Sequence, residues 1–384
     1  MAAAQPSAEA KQALDGFNSR FPKSQATSHY FQTIDPNQVH LTRLTLSSMV
    51  PLRVRSSSNN SGRGGTGIGG EAKEEEGIYL SNEEIKRSGI PTKSRLIPSE
   101  HLMFFTPRVS NASLGKDGSD TSFNPPGGVF TRRMWAGGEM TFERDNHLQV
   151  GDKAWERTVV EEEATHKVIK STGSEMIVVW VKKEIGNERG LCLTDRRSWI
   201  FQPKLDSKDS SAAAASVQVD AVPVQGSDST KSSGNRTPPA PLDPSTSTRL
   251  VQDAASLFRY SALTFNAHAI HLSPPWARQV EGHPDIVVHG PLNLSLLLRK
   301  WGREVGGWSI DEKGHFFTPS PSGDEKAATA TPPPQLHKVT YRAKKPLHAG
   351  IPYWIGLSSQ DPNKVLAVKE TDGQVAMEAT ITTW

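Results

Sequence analysis

The sequence predicts an α+β protein with two folded units, each built from a helix wrapped by an antiparallel sheet. At 384 residues the chain is long enough for two domains of ordinary size. Alternating apolar and polar residues, typical of half-buried strands, recur in both halves. An apolar run with helical spacing follows Gly290 and Pro291, and a Gly-Pro pair suits the start of a helix.

Strand patterns follow one another in the first unit. They are WERTVVEEEATHKVI, a STGS turn, the β-branched run MIVVWVKKEI, and then GLCLTDRRSWIFQP. After its helix, the second unit shows HKVTYRAKKPL, IPYWIGLSS and VLAVKETDGQVAMEATITTW, the last with a TDGQ turn. These runs predict an antiparallel sheet in each unit.

Low-complexity segments divide the chain. Residues 56–76 are rich in Gly, Ser and charge, and residues 205–248 are rich in Ser, Thr, Ala and Pro, as flexible linkers are. We therefore expect an N-terminal extension at 1–89 with a disordered part at 56–76, a first unit at 90–204, a disordered linker at 205–248, and a second unit at 249–384.

Composition narrows the classes of partner. With 44 basic and 41 acidic residues the charge is nearly balanced, which argues against nucleic acid or an anionic membrane as the main partner. No stretch approaches the roughly 20 apolar residues that span a bilayer. The single cysteine, Cys192, cannot form an internal disulfide and is expected to be a buried apolar residue. Glu9 and Asp15 weaken any interpretation of the N-terminus as a transit peptide.

One stretch, YSALTFNAHAIHLS at residues 260–273, concentrates chemistry-bearing residues. Asn266, His268 and His271 follow an apolar run. A metal site is disfavoured, because Asn is a poor ligand, no cysteine is near, and the histidines lack the i, i+4 spacing of a zinc helix. Two hypotheses stay open: a loop whose polar side chains cap backbone amides, and an acid/base site beside a helix N-terminus that could bind an oxyanion.

The same region carries a family resemblance. LFRYSALTFNAHAIHLSPPWARQVEGHPDIVVHGPL resembles the C-terminal hot-dog repeat of the MaoC-like 3-hydroxyacyl-thioester dehydratases, in the branch of the mitochondrial dehydratases and mesaconyl-CoA hydratases. FNPPGGVFTRRMWAGGEMTF and LQVGDKAWERTVVE resemble the N-terminal repeat. With PLHAGIPYWIG and GQVAMEATIT, the resemblance covers most of residues 95–384. It implies a double hot-dog, two such repeats packed as a pseudo-dimer, with the hydratase motif in the second repeat alone.

The resemblance also implies a function. The expected enzyme is a hydro-lyase that removes water from, or adds it to, an acyl-CoA or acyl-carrier-protein thioester in fatty-acid metabolism, without cofactor or metal. The family's Asp and His positions fall on Asn266 and His271, so Asn266 would orient and His271 would move the proton. The amide of Gly290 would polarise the thioester carbonyl, and His289, at the same helix start, would contact the substrate.

Departures from the family pattern keep alternatives open. Ala269 stands where the branch has an arginine, and Leu272 and Ser273 replace a Tyr-Asp pair. These changes put substrate choice in doubt, so a branched dicarboxylic acyl-CoA hydratase and a catalytically lapsed thioester-binding or scaffold protein remain alternatives.

Three first-unit residues are further candidates for substrate binding. Arg132 and Arg133 would attract the phosphates of coenzyme A or of a carrier protein, or else form salt bridges. Trp135 would pack between the repeats or line the acyl pocket. His268 is expected to play a supporting, hydrogen-bonding role. The resemblance suggests a mitochondrial location, otherwise a cytoplasmic one, and either a pseudo-dimeric monomer or a homodimer.

Overall fold

The computed structural model describes residues 5–55, 90–169, 172–204, 237–311, 315–318 and 334–384. The segment 56–76, predicted to be disordered, lies outside these residues, as does 205–236 of the predicted linker. The described part is dominated by one large antiparallel sheet with helices packed against it, which confirms the α+β class. None of its helices is long and apolar enough to span a membrane.

The main sheet has eleven strands. Those from the first half of the chain are β1 (Ala26–Thr33), β3 (Phe130–Phe142), β4 (Lys153–Val160), β5 (Thr165–Val168), β6 (Glu175–Asn187) and β7 (Gly190–Pro203). Those from the second half are β8 (Thr248–Leu250), β11 (Leu336–Ala343), β12 (Tyr353–Leu357), β13 (Lys364–Lys369) and β14 (Val375–Thr383). A separate small sheet joins β2 (Arg53–Arg55), β9 (Ser309–Asp311) and β10 (Phe316–Phe317).

The two halves repeat one topology. The strand order is β1-β4-β6-β7-β3 followed by β11-β14-β13-β12-β8, with β5 paired to β6 off this path. We leave β5 aside and number each half's main-sheet strands from its N-terminus. Read from the outer edge of the sheet toward the middle, both halves then have the order first, third, fourth, fifth, second. The halves meet where β3 pairs antiparallel with β11, for example at Met140 and Val339. This internal symmetry agrees with the expected double hot-dog, and we call the halves the first and second repeats.

In the described ranges, five α-helices accompany the sheet: α1 (Ala8–Arg20), α2 (Pro36–Ser47), α3 (Ala254–Leu263), α4 (Pro274–Gln279) and α5 (Gly290–Glu304). Helix α5 confirms the helix predicted at the Gly-Pro pair, since Pro291 lies in its first turn. It packs against β12, β13 and β14. Its fully buried side chains include Leu292, Leu294, Leu296, Leu297, Leu298 and Trp301. The faces turned away from these strands are covered by other parts of the chain; for example, Arg299 donates its Nε–H to the carbonyl of Val50 at 3.0 Å.

The first repeat begins before residue 90, which corrects the expected boundary. Strand β1 pairs with β4 from Ala26 opposite Val159 to Thr33 opposite Lys153. The Asp35 side chain then caps α2 by accepting a hydrogen bond from Gln38 N at 2.8 Å. Because β1 is an edge strand of the main sheet and α2 contributes to the core, this part of 1–89 belongs to the repeat.

The second repeat likewise begins before residue 249. Leu242 is 3% exposed and packs with Trp354, Leu366 and Val368. The backbone N–H of Asp243 donates to the carbonyl of Leu357 at 2.9 Å. The last residues of the predicted linker are therefore held against the sheet by an apolar contact and a hydrogen bond.

The repeats differ in what lies against their sheets. In the first repeat, α1 packs on β5 and β6, and α2 packs on α3 of the other repeat. Among the described residues of the first repeat, no helix has the length of the 15-residue α5. A cavity of about 1010 Å³ lies between the repeats. It is lined by first-repeat strand residues such as Thr158 and Trp199 and by the motif and helix start of the second repeat.

Candidate active site

The motif adopts a tight turn directly after α3. Phe265 has φ of 50°, a left-handed conformation that is uncommon for a bulky residue. Asn266 N then donates to the carbonyl of Ser261 at 2.8 Å, and Asn266 Oδ1 accepts from His268 N at 3.1 Å. A short 3-10 turn at Ala269–His271 follows. Asn266 thus caps a backbone amide, as the loop hypothesis expects, and it also lines the cavity.

One ring nitrogen of His271 makes a hydrogen bond, and the other has no hydrogen-bond partner among the described residues. Nδ1 lies 2.7 Å from the carbonyl oxygen of Val287, which can only accept, so Nδ1 carries the proton. Burial, with the nearby His268 and His283, lowers the pKa of His271 to about 3 against the opposing Val287 hydrogen bond. The imidazole is therefore neutral at physiological pH, and Nε2 keeps a lone pair. His271 lines the cavity.

His289 is buried behind His271. It is 1% exposed, and its ring stacks on that of His271 with centroids 3.7 Å apart. Its Nε2 lies 2.8 Å from the hydroxyl of Ser261. Burial, followed by the neighbouring His271, lowers the pKa of His289 well below its ordinary value. The predicted substrate contact is thus a neutral ring that stacks on the His271 imidazole and is also among the residues lining the cavity.

The start of α5 is an uncapped helix N-terminus beside the motif. His289 is the N-cap residue, and its side chain makes no capping hydrogen bond. Gly290 follows it and lines the cavity. A Cβ at this position would lie 2.5 Å from Cε3 of Trp135, so only glycine fits. The backbone amide of Gly290 is therefore available to an acceptor in the cavity.

The three first-repeat candidates lie on β3 with separate contacts. Trp135 stacks on Tyr341 of the second repeat with centroids 4.6 Å apart, so it both packs between the repeats and lines the cavity. Arg132 Nε bonds Glu281 Oε2 at 2.7 Å, an ion pair between the repeats. Arg133 lies over the ring of Trp199 at 5.3 Å and lines the cavity. Burial lowers the pKa of Arg133 against the opposing charges of Asp120 and Asp117.

Sequence reasoning missed a row of charges on the first-repeat sheet. Lys183 Nζ lies 2.8 Å from both Glu156 carboxylate oxygens, and Arg197 Nε bonds Asp195 Oδ2 at 2.9 Å. His101 Nε2 lies 3.2 Å from the same Asp195 oxygen. The sequence feature that could have revealed them is a charged residue at a buried position of a strand pattern, such as Glu156 in WERTVV. Within the described ranges, no group of three or more His, Cys, Asp or Glu side chains is arranged to hold a metal ion.

Two repeats of one topology, joined through a continuous sheet with a cavity between them, define a hot-dog protein. The family model "hydroxyacyl-thioester dehydratase type 2" matches residues 99–312, more than half of the chain. The chain belongs to this family of hydro-lyases, which act on acyl thioesters.

The chain is also similar to individual proteins. The chain is 31% identical over 241 residues to a mesaconyl-C(4)-CoA hydratase of Chloroflexus aurantiacus, covering 61% of this chain and 76% of the relative. It is 25% identical over 222 residues to the mitochondrial hydroxyacyl-thioester dehydratase type 2 of Schizosaccharomyces pombe, covering 53% and 66%. The solved MaoC-like dehydratase of Phytophthora capsici is 13% identical, with a TM-score of 0.49 and coverage of 96% and 97%.

Proposed function

We propose that the chain interconverts 3-hydroxyacyl and trans-2-enoyl thioesters at the site formed by Asn266, His271 and Gly290. The observation that carries the proposal is the state of His271: its Nδ1–H is bound to Val287, so Nε2 is a free base in a cavity that also holds Asn266 and the α5 amide. The amide side chain of Asn266 cannot act as a base, and its role is to orient substrate or water.

The reaction follows from these placements. With the thioester carbonyl oxygen at the Gly290 N–H, that donor and the helix dipole stabilise the enolate-like charge that develops when C2 loses its proton. His271 Nε2 accepts that proton. The electron pair forms the C2–C3 double bond and the C3–O bond breaks. The leaving oxygen takes a proton from a general acid in the site and departs as water. The reverse sequence hydrates an enoyl thioester.

The test is a direct assay of the wild-type chain with crotonyl-CoA, a medium-chain enoyl-CoA and their carrier-protein counterparts. The ultraviolet absorbance of the conjugated enoyl thioester falls on hydration, so an active enzyme gives a protein-dependent loss of signal. Flat traces together with measurable thioester binding contradict the proposal and support the scaffold alternative. The panel also decides between coenzyme A and acyl-carrier protein.

A second candidate, a dicarboxylic acyl-CoA substrate, is favoured by Arg133. Its guanidinium lines the cavity, and among the described residues it contacts the Trp199 ring but makes no hydrogen bond. A half-buried guanidinium that lines the cavity suits a carboxylate at the far end of a short acyl chain. The Arg133 side chain supplies a positive charge in the cavity, which the alanine at position 269 cannot supply.

Substituting Arg133→Met tests the dicarboxylic candidate. A charged hydrogen bond contributes about 1.5–3 kcal/mol, so we expect kcat/KM for mesaconyl-C(4)-CoA to fall about 10- to 100-fold while crotonyl-CoA turnover changes little. Arg157→Gln is the control, because Arg157 pairs with Glu184 at the surface. Equal losses on both substrates would contradict carboxylate recognition by Arg133.

For the compartment, we propose mitochondria. The support is the mitochondrial relative at 25% identity. Microscopy of the full chain with a C-terminal fluorescent tag tests this, and a diffuse cytoplasmic signal would contradict it.

A further inference from the structure

A loop of the first repeat, residues 111–122, touches the motif of the second repeat. The backbone N–H of Ala269 donates to the carbonyl of Asp117 at 2.7 Å. Gly118 has φ of 74°, and a Cβ there would lie 2.3 Å from the carbonyl oxygen of Ala267. The loop is therefore fixed against the motif by close backbone contact.

Both carboxylate oxygens of Asp117 have polar partners. Oδ1 accepts from Ser119 N at 3.0 Å and from Ser119 Oγ at 2.7 Å, and Oδ2 lies 3.2 Å from His268 Nε2. Burial raises the pKa of Asp117, but hydrogen bonds from His268 and Ser119 outweigh this and hold the pKa well below its usual range. An ionised carboxylate only accepts hydrogen bonds, so His268 Nε2 carries a proton.

His268 in turn lies beside the proposed base. Its ring is edge-on to that of His271, with centroids 5.6 Å apart. Both imidazoles line the cavity, whereas Asp117 is not among the lining residues. Asp117, His268 and His271 thus form a contiguous row that ends at the cavity. The charged or titratable groups facing His268 within the described residues are Asp117, His271 and His289.

We propose that Asp117 and His268 form a second proton-transfer pair, which takes the place of the carboxylate absent at Asn266. His268 is the catalytic group of the pair, and Asp117 is a positioning residue that acts through it. The inference rests on the proposed function and adds a group from the first repeat to a site otherwise built by the second.

With this pair, each proton that moves during dehydration has both a donor and an acceptor. His271 Nε2 takes the proton from C2, and the C–H electron pair becomes the C2–C3 double bond. The C3–O bond breaks, and the oxygen receives a proton from Nδ1 of the His268 imidazolium, whose charge faces the Asp117 carboxylate. Water leaves. His271 then releases one proton to solvent and His268 takes one up, so the site returns to its starting state.

The experiment compares Asp117→Asn, His268→Gln and the double variant by kcat, KM and pH profile. General acid catalysis contributes about 10²- to 10⁴-fold, so His268→Gln should lower kcat at least about 100-fold. Asp117→Asn should lower kcat about 10-fold or more with KM little changed. Because Asp117 acts through His268, the double variant should be no slower than His268→Gln.

Asp243→Asn is the matched control. Asp243 accepts from Ser245 N at 2.9 Å and from Ser245 Oγ at 2.8 Å, as Asp117 does from Ser119, but it does not line the cavity. It should keep kcat within about two-fold, since it touches no reacting group. The pH profile is the second readout: loss of the acid should remove the alkaline limb of the kcat profile, which loop disruption alone would leave in place.

Several outcomes overturn the inference. Wild-type-like kcat and pH profile in either single variant would do so, and so would additive losses in the double variant. If Asp117→Asn does not fold, His268→Gln and its pH profile decide alone. An inactive wild type overturns the proposed function and this inference together, whereas an active wild type with an unaffected Asp117→Asn overturns only the inference.

Discussion

At the scale of single residues, the site depends on buried histidines kept neutral by the fold. His271 donates Nδ1–H to the Val287 carbonyl and stacks on His289, whose Nε2 meets the hydroxyl of Ser261. Each of these contacts is compatible with an uncharged ring, and burial lowers the pKa of both histidines. A base that stays unprotonated at neutral pH is ready to accept a proton.

This arrangement predicts that the free energy of unfolding falls between pH 7 and pH 5. His147 and His348 share the lowered pKa, each at about 4, because they too are buried. In the unfolded chain these rings take up protons near pH 6.5, whereas the folded protein does so at lower pH, so acid favours unfolding. The slope reaches up to about 1.4 kcal/mol per pH unit for each such histidine.

Urea unfolding at pH 7 and pH 5, at equal ionic strength, measures the effect. In the described part of the chain, the acidic side chains with lowered pKa are Asp117, Glu175, Glu184 and Asp195. Their contribution is lost in acid too, but mainly below their ordinary pKa values of 3.8 and 4.5, so most of the fall between pH 7 and pH 5 comes from the histidines. A midpoint that stays the same or rises at pH 5 would contradict the assignment of neutral buried histidines.

The sequence predicted some of these residues and not others. Asn266 and His271 lie on one short motif, so a family resemblance alone could nominate them. The pairing of Asp117 with His268 could not be inferred, because it joins residues of different repeats through a loop whose path depends on the whole fold. His289 was predicted as a substrate contact, and its burial behind His271 became evident only from the packing.

At the scale of elements, the start of α5 meets strand β3. Trp135 lies on β3 and is held by its stack on Tyr341, so it cannot retreat easily from the helix. Trp135 lies so close to the helix start that there is no room for a side chain at position 290. Glycine here sets the position of the amide that we propose binds the carbonyl.

We therefore expect Gly290→Ala to impair catalysis. The added Cβ would lie 2.5 Å from Trp135 Cε3, so the helix start or the ring must shift. Such overpacking costs about 1–3 kcal/mol of stability, and the displaced amide should lower kcat at least about 10-fold. Thermal unfolding and kcat per folded molecule measure the two effects, and an unchanged kcat would contradict the role of this amide.

Elements were easier to predict than their boundaries. The strand patterns of both repeats and the helix at Gly290 and Pro291 correspond to β4 to β7, β11 to β14 and α5. Strand β1 and helix α2 were missed, although Asp35 followed by Pro36 is a helix-start signal, because the neighbouring low-complexity segment suggested an extension. No local pattern reveals that an edge strand pairs with β4.

At the scale of the whole molecule, the first repeat completes a site whose motif lies in the second. The two sheets are continuous through β3 and β11, and the cavity is lined by both repeats. The first repeat brings Trp135 to the helix start, Arg132 to Glu281 and Asp117 to His268. The repeats share a topology but differ in their helices.

The central claim is that His271 moves the proton in a thioester hydration. The most direct measurement is the initial rate of enoyl-thioester absorbance loss for wild type and His271→Ala at equal folded concentration. His337→Ala serves as the control, because His337 stacks on Trp384 and does not line the cavity. We predict that His271→Ala is about 10²- to 10⁴-fold slower while His337→Ala matches the wild type. A near-normal rate for His271→Ala would contradict the account.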